Sequence, residues 1–259
     1  MAGPAEELLK ADVALWIIAG APQDLKTPSV AFGLSLLAMK VFAVKGQAFP
    51  LIFAPTAEVP ADFDPPTLLK GAEVIPLSNP SLGVKAVSFP NTPLKKIEKE
   101  YQLDVHGLPG IGLWFEAGPS SPLAWQGAMF GVHGGEIDFH GVGPAHGVPE
   151  RAVLEYPQEG LKLQLGDDEF TAWAVQNALE RNTSYYVRVQ GTPDRLLFGP
   201  YASSEEAEVH VVKLSSTEET ASGLPESLRG LKATGWAEPT YLYQNGYGFL
   251  FLDVIGTMQ

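Results

Sequence analysis

The sequence predicts a mixed α/β (α+β) chain, with a βαβ-containing N-terminal part and a more antiparallel, strand-rich C-terminal part. Three observations carry that prediction. Two apolar runs, residues 12–19 and 49–53, flank a helix-length apolar block over residues 29–45. Residues 161–165 alternate strictly between apolar and polar, the period of a strand with one wet face. Asn245-Gly246, between two aromatic-rich runs, is the strongest short-range signal for a two-residue hairpin.

The elements follow in order. Residues 12–19 end at Gly20 and read as a strand buried on both faces. Thr27-Pro28-Ser29 supplies a helix start, with proline in the first turn where its missing N–H costs nothing. The helix to Lys45 is polar only at Ser35, Lys40 and Lys45, so it belongs in a core or against a partner. Gly46 stops it, and the next strand closes a βαβ unit. Nine of the 22 prolines fall within residues 50–93, which forbids long regular elements and predicts short strands such as residues 84–89.

Beyond residue 118 the texture changes. We read residues 1–118 as an α/β part with a proline-rich middle and 119–166 as a Gly/His-rich β segment. Residues 167–259 read as an α+β part ending in a β-hairpin. Within that last part, Asp167 or Asp168 caps a helix with Phe170, Trp173, Ala174 and Ala178 on one face. Strands follow at 185–189 and 196–198, then a helix from Ser203 or Ser204 with Glu205 and Glu206 in its first turn, then a strand at 209–214.

Two stretches resemble known families. Residues 94–118, LKKIEKEYQLDVHGLPGIGLWFEAG, resemble the distal part of a thioredoxin-like fold. There a helix leads through a turn into a strand, and the matching proline, here Pro109, is cis and faces the active site. The chain lacks cysteine and that family's redox motif, so the resemblance implies a fold without redox chemistry. Residues 185–214, with GPYASSEEAE between strands, resemble the second half of a SPOR-type repeat, a family that binds cell-wall glycan.

Composition excludes several chemistries. With no cysteine there is no disulfide, thiolate zinc site, cysteine nucleophile or iron–sulfur cluster. Thirty acidic residues against 17 basic ones give a net charge of −13, which opposes binding to a phosphate backbone or an anionic membrane. The opening residues are acidic where a secretion signal needs positive charge, and the apolar run 30–44 is interrupted by Lys40, so we expect neither export nor membrane insertion. The phosphate-cradling and nucleophile-elbow motifs are missing.

One stretch invites a chemical reading. If residues 136–140 form a strand, Glu136, Asp138 and His140 share a face. Together with His133, or with His146, they make a candidate site for a divalent metal such as Mg2+ or Mn2+. The primary expectation is a non-enzymatic structural or assembly subunit of a larger complex, for example a virion or tail component. It would be cytoplasmic or virion-borne, with protein partners or self-association, no nucleic acid and no cofactor. The alternative is a metal-assisted hydrolase using residues 133–146.

Overall fold

The computed structural model describes residues 2–92, 100–108, 112–120, 122–201, 206–215, 237–244 and 247–253. The chain divides into two compact units, Met1–Glu98 with Lys213–Glu218, and Lys99–Val212 with Glu219–Gln259.

The N-terminal unit contains α1 (Ala2–Leu9), β1 (Trp16–Gly20), α2 (Pro28–Lys45), β2 (Leu51–Pro55), β3 (Glu73–Val74) and α3 (Ser81–Ser88). The expected βαβ unit is present. β1 runs parallel to β2 from Trp16↔Leu51 to Gly20↔Pro55, and β3 adds parallel on the far side of β2. Pro28 opens α2, and Gly46, at φ 91°, closes it with its N–H donating to Phe42 O. The core gathers Trp16, Leu25, Ala38, Val41, Phe49, Leu51, Phe53 and Leu69. Ser35, polar in an apolar helix, is buried with its hydroxyl donating to Leu214 O at 2.6 Å.

Two expectations fail in this unit. β2 is buried throughout, but β1 alternates between buried and open positions, so only one of its faces is fully covered. Residues 84–88 belong to helix α3, not to a strand. Val84 and Val87 point to solvent, and Asn79 Oδ1 accepts the Ser81 N–H at 2.9 Å, tying down the first turn.

The C-terminal unit is made of β4 (Tyr101–Leu108), β5 (Gly112–Pro119), β6 (Ala128–Pro144), β7 (Gln158–Leu165), β8 (Asp168–Val175), β9 (Thr183–Pro200), β10 (Glu206–Lys213), β11 (Ala237–Gln244) and β12 (Tyr247–Asp253). The strand order is β11-β12-β10-β9-β6-β8-β7, with β5 also on β9 and β4 on β5. β6 and β9 pair from Ala128↔Pro200 to Pro144↔Thr183, but the register slips twice. At the first slip Thr192, Pro193 and Asp194 stand opposite Gly134 alone, a bulge in which a proline without an N–H is tolerated.

That slip divides both strands. On one side of it, residues 128–132 of β6 lie between β8 and β9; on the other, residues 185–189 of β9 lie between β5 and β6. Two layers therefore share two strands and pack face to face through aromatic rings. Phe115 stacks on Phe130 at 5.8 Å and Tyr101 meets Phe198 edge-on at 4.9 Å across the layers, while Phe130 stacks at 5.9 Å on Phe198, its cross-strand partner within one layer.

Here too the local readings need correction. The helix expected from Asp167 or Asp168 is strand β8, whose Phe170, Ala172 and Ala174 face a cluster with Met129, Leu163 and Leu197. The strands expected at 185–189 and 196–198 are one continuous strand, β9. The helix start at Ser203 and Ser204 lies outside the described residues, and Glu206 opens a strand, so the SPOR-like strand–helix–strand order is not carried through. In the thioredoxin-like stretch, residues 94–99 and Pro109 lie outside the described residues. Residues 101–108, however, form a strand antiparallel to β5, where that fold has the end of a helix and the turn that leads to the proline. The C-terminal hairpin is present: Gln244 pairs with Tyr247 across Asn245 and Gly246, which themselves lie outside the described residues.

Candidate functional site

The expected ligands His133, Glu136, Asp138 and His140 all lie on β6, but the second register slip separates them. Ile137 pairs with Val189 and Phe139 with Arg188, which leaves Asp138 as the extra residue of a bulge. Ile137 is buried before the bulge, whereas after it Phe139 is exposed and His140 is buried. Glu136 and Asp138 point outward; Asp138 accepts from Arg188 Nε at 2.7 Å and Gln190 Nε2 at 3.0 Å. His140 points inward, its Nδ1 2.7 Å from the Tyr185 hydroxyl and its ring edge-on to Trp173. Burial holds His140 below its ordinary pKa, partly opposed by Glu159. His133 sits at the first slip, its Nδ1 2.5 Å from Asp194 Oδ1. The four side chains thus serve separate partners and do not converge.

A different constellation does. β4 has Tyr101, Leu103 and Val105 on the core face, so Asp104 and His106 share the opposite one. Asp104 pairs across the ladder with Glu116, Glu116 with Tyr186, Tyr186 with Gly141, and Ser184 with Gly143. This outer face would ordinarily be wet. Yet Glu116 is 1% exposed, Asp104 is 7% exposed, and Ser184 and Tyr186 are fully buried.

The cover on this face includes residues 145–152, the connection that follows β6. Glycines make room for it: a Cβ on Gly143 would lie 2.4 Å from Pro149 Cβ, and one on Gly141 would lie 3.0 Å from Ala152 Cβ. Hydrogen bonds fasten it. The Tyr186 hydroxyl donates to Pro144 O and accepts from the Gly147 N–H at 3.3 Å. His146 adopts φ 72°, unusual for a residue with a side chain, and its N–H donates to Glu116 Oε1 at 2.8 Å. The Ser184 hydroxyl donates to the same oxygen at 2.8 Å.

The other carboxylate oxygen, Glu116 Oε2, lies 2.7 Å from His106 Nε2, and that nitrogen lies 3.8 Å from Asp104 Oδ2. Burial alone would raise the Glu116 carboxyl. The hydrogen bonds from His106, the His146 N–H and Ser184 outweigh it and hold the group below its ordinary value. Burial first, and the Glu116 charge second, push the Tyr186 hydroxyl well up, so it stays protonated as a donor. Among the described residues, one set of three His, Asp or Glu side chains brings ligand atoms within 4.8 Å of one another: Asp104, His106 and Glu116.

The sequence signal for this site is the alternation in YQLDVHGL, three apolar positions interleaved with Gln102, Asp104 and His106. The resemblance of residues 94–118 to a helix, turn and strand masks it. Comparison with protein-family models, with curated proteins and with solved structures finds no match to this chain.

Proposed function

We propose that the chain is a non-enzymatic assembly subunit, and that α2 is the face on which a second copy docks. The observation that supports this most directly is that α2, apolar nearly throughout, leaves apolar side chains open. The helix has a mean hydropathy of 1.4 with 33% of it fully buried, and Val30 and Val44 are exposed. Its length and composition alone would let it cross a membrane. Its inner side, however, is committed to the sheet through Ala38 and Val41, and its last turn is pinned by Lys45 Nζ donating to Val13 O at 2.8 Å. The net charge of −13 also disfavours an anionic lipid surface.

On the open side Val30, Gly33, Leu34 and Leu37 line an apolar groove of about 270 Å3 with Pro4 and Ser29. A Cβ on Gly33 would meet nothing within 4 Å, so the groove is a shallow hole with leucine knobs beside it. Holes next to knobs make a self-complementary surface, as a twofold contact between identical chains requires.

Light scattering behind a sizing column, at micromolar concentration, tests this. The expected result is a defined oligomer that Val30→Glu with Gly33→Glu, which fill the groove without touching the core-packed Leu34 and Leu37, converts to a 27.8 kDa monomer of unchanged circular dichroism. A wild-type chain that stays at 27.8 kDa throughout the micromolar range refutes the self-association.

A further inference from the structure

We propose that Asp104, His106 and Glu116 bind one divalent transition-metal cation, with Zn2+ the closest match. Three observations on the outer face of the β4–β5 pair lead there. The first is charge. Asp104 and Glu116 are direct cross-strand partners, and both are buried. Like charges opposed across a ladder repel, and each loses hydration on burial. A divalent cation held by both carboxylates would turn that repulsion into a shared attraction.

The second is geometry. In a tetrahedral zinc shell, ligands at 2.0–2.2 Å from the metal lie roughly 3.3–3.6 Å from one another. The contacts from His106 Nε2, at 2.7 Å to Glu116 and 3.8 Å to Asp104, straddle that spacing, so the ion is admitted once His106 and Glu116 part by roughly 0.6 Å or more. One imidazole with two carboxylates is a donor set for Zn2+ or Mn2+ and too nitrogen-bearing for Ca2+.

The third is the support behind the ligands. Glu116 Oε1 is occupied by the His146 N–H and the Ser184 hydroxyl, which leaves Oε2 aimed at the site. Asp104 Oδ1 accepts the Val105 N–H at 2.7 Å, and Oδ2 lies 3.8 Å from His106 Nε2. Each carboxylate is thereby oriented through a hydrogen-bonded oxygen, as outer-shell partners orient metal ligands. The side chains of His106 and Asp104 are 12% and 9% exposed, so the cluster is largely but not wholly covered.

The test is isothermal titration of the chelator-treated full chain with Zn2+ alone at neutral pH. One equivalent is expected to bind, and His106→Gln or Asp104→Asn to weaken binding by at least about tenfold. Ser184→Ala keeps all three ligands and removes only the support, so it is expected to weaken binding about tenfold while the protein stays folded by circular dichroism. His133→Gln leaves the affinity unchanged. The proposal is overturned if the wild-type chain takes up no Zn2+ at millimolar concentration, or if Ser184→Ala and the ligand variants bind as well as wild type. It is equally overturned if His133→Gln is the variant that loses the ion.

Discussion

Gly143→Ala isolates the cover over the polar face. Gly143 lies in β6, and its backbone is not among the positive-φ positions, so alanine suits the strand itself. Without the cover, the substitution would stabilise by about 0.5–1 kcal/mol, because the unfolded chain loses freedom. The structure reverses that sign. The new methyl would sit 2.4 Å from Pro149 Cβ and 2.9 Å from Pro149 Cγ, against the ~3.5–4.0 Å of a carbon–carbon contact, so the connection must withdraw by more than an ångström.

Withdrawal breaks the bonds made just before Pro149. The His146 N–H to the Glu116 carboxylate is the largest, at about 1.5–3 kcal/mol for a charged acceptor, and the weaker Gly147–Tyr186 contact adds about 0.5 kcal/mol. Set against the gain from the unfolded chain, the net expectation is a loss of about 1–3 kcal/mol in urea unfolding of the C-terminal unit, together with faster tryptic cleavage at Arg151. A variant as stable as wild type, or more stable, with unchanged cleavage would show that the connection does not press on β6.

Two further outcomes follow from the core. Phe130→Ala removes the ring stacked between Phe115 and Phe198 and is expected to cost about 3–5 kcal/mol by chemical denaturation, as a void that neither layer closes. His210, buried against Tyr101 and Phe198, has its pKa pushed down by burial to about 4 from 6.5. Its unfolded form therefore takes up a proton first. Its contribution is complete above pH 6.5, is lost as the pH falls towards 4, and amounts to roughly 3 kcal/mol. His210→Phe keeps the ring packing and is expected to flatten stability over that window, leaving the smaller slope from His140. An unchanged slope would refute this assignment.

The parts of the fold legible in the sequence are those whose signal is local. The β1–α2–β2 unit announces itself through an apolar run, a proline at a helix start and a glycine at its end. Strand β8 does not, because Trp173 packs on His140 while Phe170 and Ala172 face the other way. With apolar side chains on both faces its period of two vanishes, and Phe170, Trp173 and Ala174 imitate a helix stripe. In α3 the solvent-facing Val84 and Val87 suggest a strand by propensity alone, and tertiary context overrides it. The candidate site was missed for a third reason. One extra residue, Asp138, reverses the facing of everything after it, and no pattern in HGGEIDFH marks which residue is extra. Asp104 and Glu116 meet only through a cross-strand register, which a single sequence does not display.

The sharing of β6 and β9 between the two layers has a consequence for how the unit comes apart and comes together. Neither layer owns a complete set of strands, so neither can open while the other stays shut. Amide protons at residues 128–132 and 185–189, although they lie in different layers, are bound to a common opening event. The same bond orders assembly. Until β6 finds β9, across the intervening β7–β8 hairpin, no ladder joins β4, β5 and β9 to β6, β8 and β7. That pairing, together with the still more distant one of β5 on β9, is the step against which the chain's loop entropy is set, and it makes the C-terminal unit a slow but undivided folder.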